Sequence, residues 1–337
     1  MEIFLRSPNW IGDCVMSLSA IRTLKNLKPD LKILIITKSN LSAVYKNVSE
    51  IDEVVSIPSG KTLKEIIHSI LKLRKYKIKD GILFPNSFLS ALILRLSGVK
   101  YLTGYSKDLR SFMLKRKIRF PGKSIHQIKS YMGLIGLHLS STIEPRISNE
   151  LVFSSEEKLE AKKILKENGY VHGEKLVGIS PAAAFGTSKE WLEDNYINLI
   201  DGVSREISRT RFVLFGSKKD EKKLRRISGS VSVPVIIIAG KYTLREAFSV
   251  ISECDIFVGN DSGLLHVADA ARVAAVGLFG PTSPKTTSPP GEWTETIYKG
   301  VECSPCSYRI CPIDHKCMKN INVSEVQKKV IEKILRK

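Results

Sequence analysis

The chain has 337 residues, of which 43% are hydrophobic and 26% charged. This ordinary globular composition excludes a mainly disordered chain, and the 22 glycines and six cysteines exclude a collagen-like or disulfide-dense scaffold. The longest charge-free apolar stretch, residues 81–94, is shorter than the ~20 residues that a bilayer-spanning helix needs. The N-terminal residues lack a signal-peptide pattern, so we expect a cytoplasmic protein with reduced thiols.

Lysine and arginine outnumber aspartate and glutamate by 53 to 34, which gives a net charge of +19. Residues 1–150 hold 25 basic and 11 acidic side chains, so the excess lies mainly in the first half, with basic runs at 61–79 and 107–123. Such a field attracts nucleic acid, an anionic membrane surface or a phosphorylated substrate. A generally basic, solvated surface is the alternative at this stage.

Apolar runs alternate with amphipathic stretches along the whole chain. In the first half the predicted strands are 3–6, 32–37, 54–57, 81–84 and 101–103, and the helices are 11–26, 62–76 and 87–96. In the second half the strands are 176–180, 211–215, 235–238, 256–259 and 276–279, and the helices are 156–168, 190–208, 218–227, 244–253, 263–272 and 323–335. This alternation indicates parallel βαβ units. We therefore predict an α/β fold with two doubly wound domains, residues 1–150 and 151–337. The last helix is expected to pack either on its own domain or back on the first one.

Ligands of such sheets bind at the carboxyl ends of the strands, so we expect the strand-end loops of both domains to face a central cleft. The first such loop is Ser-Pro-Asn-Trp-Ile-Gly-Asp at 7–13. Asp13 lies in the first turn of the following helix, where the helix dipole stabilises a carboxylate. Asp13 is therefore either a helix cap or a base that takes a proton from a substrate hydroxyl.

A second loop, residues 180–191, joins a strand to a helix in the second half. Its small residues let a ligand approach the backbone, and Thr187, Ser188 and Lys189 add two hydroxyls and a cation. This combination suits a phosphate or diphosphate, although the order of a Walker A loop is absent. An ordinary surface loop is the alternative.

A third loop, residues 259–266, also suits an anion, because the N–H groups of Ser262 and Gly263 open a helix. Asp261 is placed to orient sugar hydroxyls or the Lys189 ammonium. His266 lies one helical turn beyond Ser262 on the same face. A packed or surface histidine is the more ordinary interpretation of this residue.

Two other segments carry weaker signals. Thr243 and Glu246 form a capping-box pattern, which places Tyr242 at a strand end where its ring can stack on a base. The cysteines at 303, 306, 311 and 317, with His315, have spacing typical of a small metal site, but we favour reduced thiols without a metal.

These loops, in this order, resemble the ADP-heptose:lipopolysaccharide heptosyltransferases of glycosyltransferase family 9, most closely the type II branch. The most specific islands are Asn-Asp-Ser-Gly-Leu-Leu-His-Val-Ala at 260–268 and Leu-Phe-Gly-Pro-Thr-Ser-Pro at 278–284. The resemblance covers most of the chain. It implies a GT-B fold, in which two Rossmann-like domains face a central cleft, with an acceptor domain first and a nucleotide-sugar domain second.

The resemblance implies inverting heptosyl transfer from ADP-heptose to a heptose of the lipopolysaccharide inner core. Asp13 would be the catalytic base, and Lys189 would neutralise the departing diphosphate. The implied donor-binding residues are Thr187, Ser188, Lys189, Tyr242, Asp261, Ser262, Gly263 and His266. We expect the acceptor to be bound by Asn9 and by three basic residues of the first domain, Arg110, Lys115 and Arg116.

We expect no cofactor and no metal, a monomer, and peripheral association with the cytoplasmic face of an anionic inner membrane. Nucleic acid is not an expected partner, because no binding motif is present and only 7% of residues are aromatic. The loop at 181–192 departs from the family pattern at Ala184 and Glu190, which leaves the donor open. The alternatives are a related transferase with another nucleotide sugar or acceptor, or a nucleotide-sugar epimerase of the same fold.

Overall fold

The computed structural model describes residues 1–122, 125–144 and 146–336. Lys123, the last residue of the second basic run, lies outside the described residues. The chain divides into two compact units, Met1–Val152 and Phe153–Lys337. Each unit is an α/β structure built on one six-stranded parallel sheet.

The first unit has the strand order β3-β2-β1-β4-β5-β6, and all neighbouring strands are parallel. Its central strands are continuous apolar runs, because helices cover both faces of a doubly wound sheet. The strands are β1 (Glu2–Arg6), β2 (Lys32–Lys38), β3 (Glu53–Ile57), β4 (Asp80–Leu83), β5 (Tyr101–Ser106) and β6 (Arg116–Arg119).

The helices of the first unit are α1 (Ile11–Leu27), α2 (Leu63–Arg74), α3 (Phe88–Leu96) and α4 (Gln127–Leu139). Phe4, Leu34 and Ile36 share one core with buried residues of α2 and α3. Helix α1 packs against α4. The predicted strands and helices are confirmed, but the sequence analysis missed β6 and α4.

The second unit has the order β12-β11-β10-β7-β8-β9, again all parallel. Counted within its own unit, each sheet therefore has the order 3-2-1-4-5-6. The strands are β7 (Lys175–Ser180), β8 (Thr210–Gly216), β9 (Val235–Ala239), β10 (Ile256–Asn260), β11 (Ala274–Phe279) and β12 (Thr294–Tyr298).

The helices of the second unit are α5 (Ser155–Glu167), α6 (Glu193–Glu206), α7 (Glu221–Ser230), α8 (Leu244–Ser252), α9 (Gly263–Ala270), α10 (Pro284–Thr287), α11 (Lys316–Lys319) and α12 (Val323–Leu335). Helix α12 packs against α6 and the strands β10 and β11, and its Val326 and Val330 enter the core of this unit. The capping box of Thr243 and Glu246 at the start of α8 is confirmed. Strand β12 is a further element that the sequence analysis missed.

In each sheet the connections leave in opposite directions from two neighbouring central strands. These strands are β1 and β4 in the first unit, and β7 and β10 in the second. A crevice forms at the carboxyl ends of such a pair, and ligands of doubly wound sheets bind there. The loops after these four strands are therefore the candidate functional segments.

Candidate active-site loops

At the end of β1, the buried Arg6 side chain organises the loop that leads to α1. Its guanidinium donates to the carbonyl of Ile36 at 3.1 Å and to the side-chain oxygen of Asn9 at 3.2 Å. Burial lowers the pKa of Arg6 to about 10. Arg6 thus ties the ends of β1 and β2 together and orients Asn9, one of the predicted acceptor-binding residues.

Asp13 lies in the first turn of α1 and is half-buried. The hydroxyl of Tyr131, from α4, donates to its Oδ1 at 3.0 Å. Burial, followed by the charge of Asp13, raises the pKa of Tyr131 well above its ordinary value, so the phenol keeps its proton and remains a donor. The structure therefore holds the Asp13 side chain in a fixed orientation, with the Tyr131 hydroxyl as a donor to it.

Arg110 is completely buried, and its guanidinium is occupied by the protein itself. It donates to the carbonyls of Tyr105 at 3.1 Å and Pro85 at 2.5 Å, and to the side chain of Asn86 at 2.9 Å. Burial lowers the pKa of Arg110 to about 10. In this structure Arg110 shapes the loop after β4, which borders the β1 loop, so any effect on an acceptor would be exerted through that loop.

Lys115 and Arg116 lie near the amino-terminal ends of the strands of the first sheet, whereas Asp13 follows the carboxyl end of β1. Arg116 begins β6 and pairs with Asp80, the first residue of β4, at 3.3 Å. Lys115, which is exposed, precedes β6. Both residues are therefore nearer the amino ends of the strands, and the structure does not bring them together with Asn9, Asp13 and Arg110.

At the end of β7, the side chain of Lys189 meets that of Asp261, which follows β10. The ammonium donates to Oδ2 of Asp261 at 2.5 Å and to its carbonyl at 3.2 Å. Thr282, after β11, donates to the same carboxylate oxygen at 2.5 Å. The loops after three neighbouring strands, β7, β10 and β11, thus contribute to one cluster. In it the buried carboxylate of Asp261 holds the Lys189 ammonium at the crevice between β7 and β10.

The beginning of α9 adds hydrogen-bond donors to this cluster. Ser262 is the N-cap, and its buried hydroxyl has no hydrogen-bond partner among the described residues. Gly263 opens the helix, whose first N–H groups point out of its N-terminus. His266, one helical turn after Ser262, is buried. A helix N-terminus beside an ammonium group is suited to bind a phosphate.

Asn260, to which the sequence analysis assigned no role, connects the two central loops of the second unit. Its side-chain oxygen accepts from the N–H of Trp191 at 3.1 Å and the hydroxyl of Tyr196 at 2.9 Å. Its amide donates to the carbonyl of Pro181 at 3.1 Å. The buried amide of Asn260 therefore fixes the path of the 181–191 loop, and with it the position of Lys189.

Thr187 is exposed, whereas Ser188 is buried and turned toward another segment of the second unit. The hydroxyl of Ser188 donates to the carbonyl of Tyr308 at 2.5 Å, and the backbone N–H of Ser188 donates to the carbonyl of Arg309 at 3.1 Å. The ring of His315 donates to the carbonyl of Ser188 at 2.6 Å. Ser188 thus anchors the loop, and Lys189 is the residue that extends toward the crevice.

The segment that anchors Ser188 is the cysteine-rich one at 303–317. Its four thiols are free and line one small pocket together with His315 and Ser188. Burial, and then the three neighbouring thiols, raise the pKa of Cys317. Within 1–122, 125–144 and 146–336, no group of three or more metal-binding side chains is arranged to hold a metal. In the structure, this segment packs against the loop that carries Lys189.

Tyr242 lies at the carboxyl end of β9 and is half-buried. Its hydroxyl accepts from the side-chain amide of Asn168 at 2.7 Å, and the ammonium of Lys241 lies 5.1 Å from the ring centroid. The ring is therefore held at the strand-end edge, where the sequence analysis placed an adenine contact.

Comparisons with known proteins agree with this architecture. The sequence model of glycosyltransferase family 9 (heptosyltransferase) matches residues 67–317. Lipooligosaccharide heptosyltransferase 2 of Campylobacter jejuni (strain NCTC 11168) is 29% identical over 97% of this chain and 96% of its own length. Lipopolysaccharide heptosyltransferase 2 of Escherichia coli K12 is also 29% identical, over 86% of this chain and 85% of its own.

Several solved structures match over the whole length of the chain. The E. coli ADP-heptose lps heptosyltransferase II is 25% identical with a TM-score of 0.83, and covers 100% of this chain and 99% of that one. A family 9 glycosyl transferase from Veillonella parvula is 18% identical with a TM-score of 0.86, and covers 100% and 97%. The predicted fold class, with two Rossmann-like parallel-sheet domains of the GT-B type, is confirmed.

Proposed function

Because this chain belongs to glycosyltransferase family 9 and is a glycosyltransferase, we propose that it transfers L-glycero-D-manno-heptose from ADP-heptose to a heptose of the lipopolysaccharide inner core. The names of its relatives support the heptosyl group and the lipopolysaccharide acceptor. The observation that carries the proposal is the cluster of Lys189, Asp261 and Ser262 at the end of β7 and β10.

The second unit is the proposed donor domain, and the diphosphate of the donor is its central ligand. The Lys189 ammonium and the N–H groups that open α9 stabilise the negative charge that develops on ADP as it leaves. Asp261 keeps the ammonium in place before the donor binds and orients hydroxyls of the sugar. Tyr242 is the proposed adenine contact at the same edge of the sheet.

The first unit is the proposed acceptor domain, and Asp13 is its base. Asp13 takes the proton of the acceptor hydroxyl while that oxygen forms a bond to the anomeric carbon. The bond between this carbon and the diphosphate oxygen breaks, and its electron pair leaves with ADP. Attack from the face opposite ADP inverts the configuration. The hydroxyl of Tyr131 holds the Asp13 carboxylate in the orientation that receives the proton.

The acceptor, part of a lipid-anchored glycan, places the reaction at the cytoplasmic face of the inner membrane. We propose that the enzyme works there as a monomer, bound peripherally. Lys189 and the N-terminus of α9 are assigned the charge stabilisation that a divalent cation provides in many other transferases.

The test is incubation of the protein with ADP- and UDP-linked sugars and a heptose-bearing core oligosaccharide. We expect release of ADP with ADP-heptose, and a product extended by one heptose with inverted configuration. Turnover with a UDP-sugar and none with ADP-heptose would contradict the proposed donor. ADP release without a glycosylated product would contradict the proposed acceptor.

One observation favours a related transferase with a different nucleotide sugar as the second candidate. Glu190 stands where the family pattern has arginine, and it accepts from the N–H of Ala183 at 3.2 Å while it pairs with Lys223. The 181–191 loop is therefore tied to α7 by an ion pair beside the donor cluster. The same panel of sugars distinguishes the two candidates.

A further inference from the structure

Helix α2 of the first unit exposes an apolar stripe that its own fold does not cover. Leu63, Ile67 and Leu71 recur at every fourth position and are 72%, 47% and 54% exposed. The opposite side of the same helix enters the core, with Leu73 fully buried. A spacing of four residues places the three exposed side chains on one face, which is hereafter called the α2 stripe.

The side chains around the α2 stripe are cationic. Residues 59–79 contain seven basic residues and one acid, Glu65, whose side chain is turned back to the N–H of Lys61 and to Ser59. Lys61, Lys64 and Lys75 are exposed, and in the described part of the chain none of them forms an ion pair. The stripe is therefore apolar at its centre and positive at its border.

The α2 stripe begins at the edge of the sheet that carries Asp13. Helix α2 starts after the carboxyl end of β3, so Leu63 lies at that edge and Leu71 farther from it. Helix α3, against which α2 packs, begins there too, with exposed Phe88 whose ring lies 6.3 Å from that of exposed Phe112. Exposed apolar side chains thus extend along the rim of the proposed acceptor loops.

From this arrangement we infer that the α2 stripe is the surface by which the protein docks on an anionic lipid bilayer. A helix with an apolar face and basic borders lies in the membrane interface, where its apolar side chains enter the acyl boundary and its lysines meet anionic headgroups. None of the helices in the described residues could span a bilayer. The inference rests on the proposed function in one respect: the membrane presents the acceptor to the loop that carries Asp13.

Vesicle flotation tests the surface directly. The full chain is mixed with phosphatidylcholine vesicles that contain or lack phosphatidylglycerol. We expect binding to the anionic vesicles and little to the neutral ones. Replacing the stripe (Leu63→Gln, Ile67→Gln, Leu71→Gln) should lower partitioning about tenfold or more, and the helix should persist because glutamine is a good helix former.

The matched control is Leu159→Gln with Leu335→Gln, two leucines that are 67% and 70% exposed on helices of the second unit. These changes should leave partitioning unchanged. A charge variant, Lys61→Gln with Lys64→Gln and Lys75→Gln, should lose the preference for anionic vesicles. Equal partitioning of the stripe variant and the parent would overturn the inference. Failure of the parent to bind either vesicle would also overturn the inference.

Activity separates this inference from the proposed function. With a lipid-free core oligosaccharide, the stripe variant should have the parent's kcat and KM, because none of its changes touches the proposed site. With acceptor embedded in vesicles, its apparent KM should rise. Absence of heptosyl transfer from the parent in both assays would contradict the proposed function, while the flotation result would still decide the docking surface.

Discussion

The two units have the same strand order, but the loops at their central strands have different electrostatics. In the second unit an ammonium and a carboxylate, Lys189 and Asp261, meet at 2.5 Å. In the first unit the buried cations Arg6 and Arg110 donate to carbonyl, hydroxyl and amide oxygens, and neither donates to a carboxylate in the described residues. Their partners lie in the loops and in the strands next to them.

Buried charged side chains therefore have two different roles in the two units: some fix the backbone, and others are available to a ligand. Arg6 and Arg110 donate to oxygens that fix the backbone around the strand ends, and burial lowers the pKa of both guanidinium groups. Lys189 has a partner with which a ligand phosphate can compete. Equal topology therefore gives equal positions but not equal chemistry, as expected when function resides in the loops of a common fold. Substitutions in the strand-end loops of each unit test whether the two roles are divided in this way.

The largest effect is expected from Asp13→Asn in the first unit. Loss of a general base typically lowers kcat by roughly 10²–10⁴-fold. The dissociation constant for ADP should not change, because the proposed diphosphate contacts lie in the second unit. Asp30→Asn, at an exposed position after α1, is the control and should keep full activity. Steady-state kinetics with near-parent turnover for Asp13→Asn would remove Asp13 from the mechanism.

Lys189→Ala should have the next largest effect, about 10²–10³-fold on kcat, because it removes charge stabilisation of the leaving group. It should also weaken ADP binding, measured by calorimetry. The control is Lys175→Ala, at the opposite end of β7, where Lys175 pairs with Asp255 at 3.4 Å. If both variants bind ADP as the parent does, the second unit does not use Lys189 for the diphosphate.

Gly186→Ala examines how the 303–317 segment positions the donor loop. A Cβ at this glycine would lie 2.2 Å from the carbonyl oxygen of Arg309, and its φ of +155° disfavours other residues. The loop must shift, so we expect a donor KM about tenfold higher and a loss of roughly 1–3 kcal/mol in the free energy of unfolding. Gly229→Ala, with open space around its Cβ, is the control. An unchanged donor KM would show that the segment does not position Lys189.

Tyr131→Phe should have the smallest effect, a few-fold decrease in kcat together with a shift in the pH profile. The carboxylate of Asp13 loses a hydrogen-bond donor, which favours its protonated form, so the acid limb of kcat should move to higher pH. Tyr105→Phe is the control, because its hydroxyl donates to the carbonyl of Ser130 and not to Asp13. Similar pH profiles for both variants would contradict a positioning role for Tyr131.

The core elements were predictable because each is a local pattern. Strands β1, β2 and β10 are apolar runs bounded by polar loops, and their ends were predicted to within one residue. The missed elements lack such a pattern. Strand β6 is Arg-Lys-Ile-Arg and β12 is Thr-Glu-Thr-Ile-Tyr, both edge strands with few apolar residues. Helix α4 contains Gly133 and Gly136, which lower its helix propensity.

Residues of the candidate site were predictable only where a motif within a single loop indicates their role. The pairing of Lys189 with Asp261 was anticipated as one of two roles for that carboxylate. Tyr131 was not, because it reaches Asp13 from a position 118 residues away. Ser188 was predicted to meet the donor, yet its hydroxyl is directed at Tyr308, 120 residues later. Contacts of this range depend on tertiary packing, which no local spacing contains.

Strand β6 has a consequence for how this chain behaves at high concentration. It forms the outer edge of the first sheet, where one row of backbone N–H and C=O groups has no neighbouring strand in the described part of the chain. Its three basic residues are Arg116, Lys117 and Arg119. If β6 of a second copy added to this edge, these residues would face the same positive charges. Like-charge repulsion at an open edge opposes the strand addition that begins aggregation.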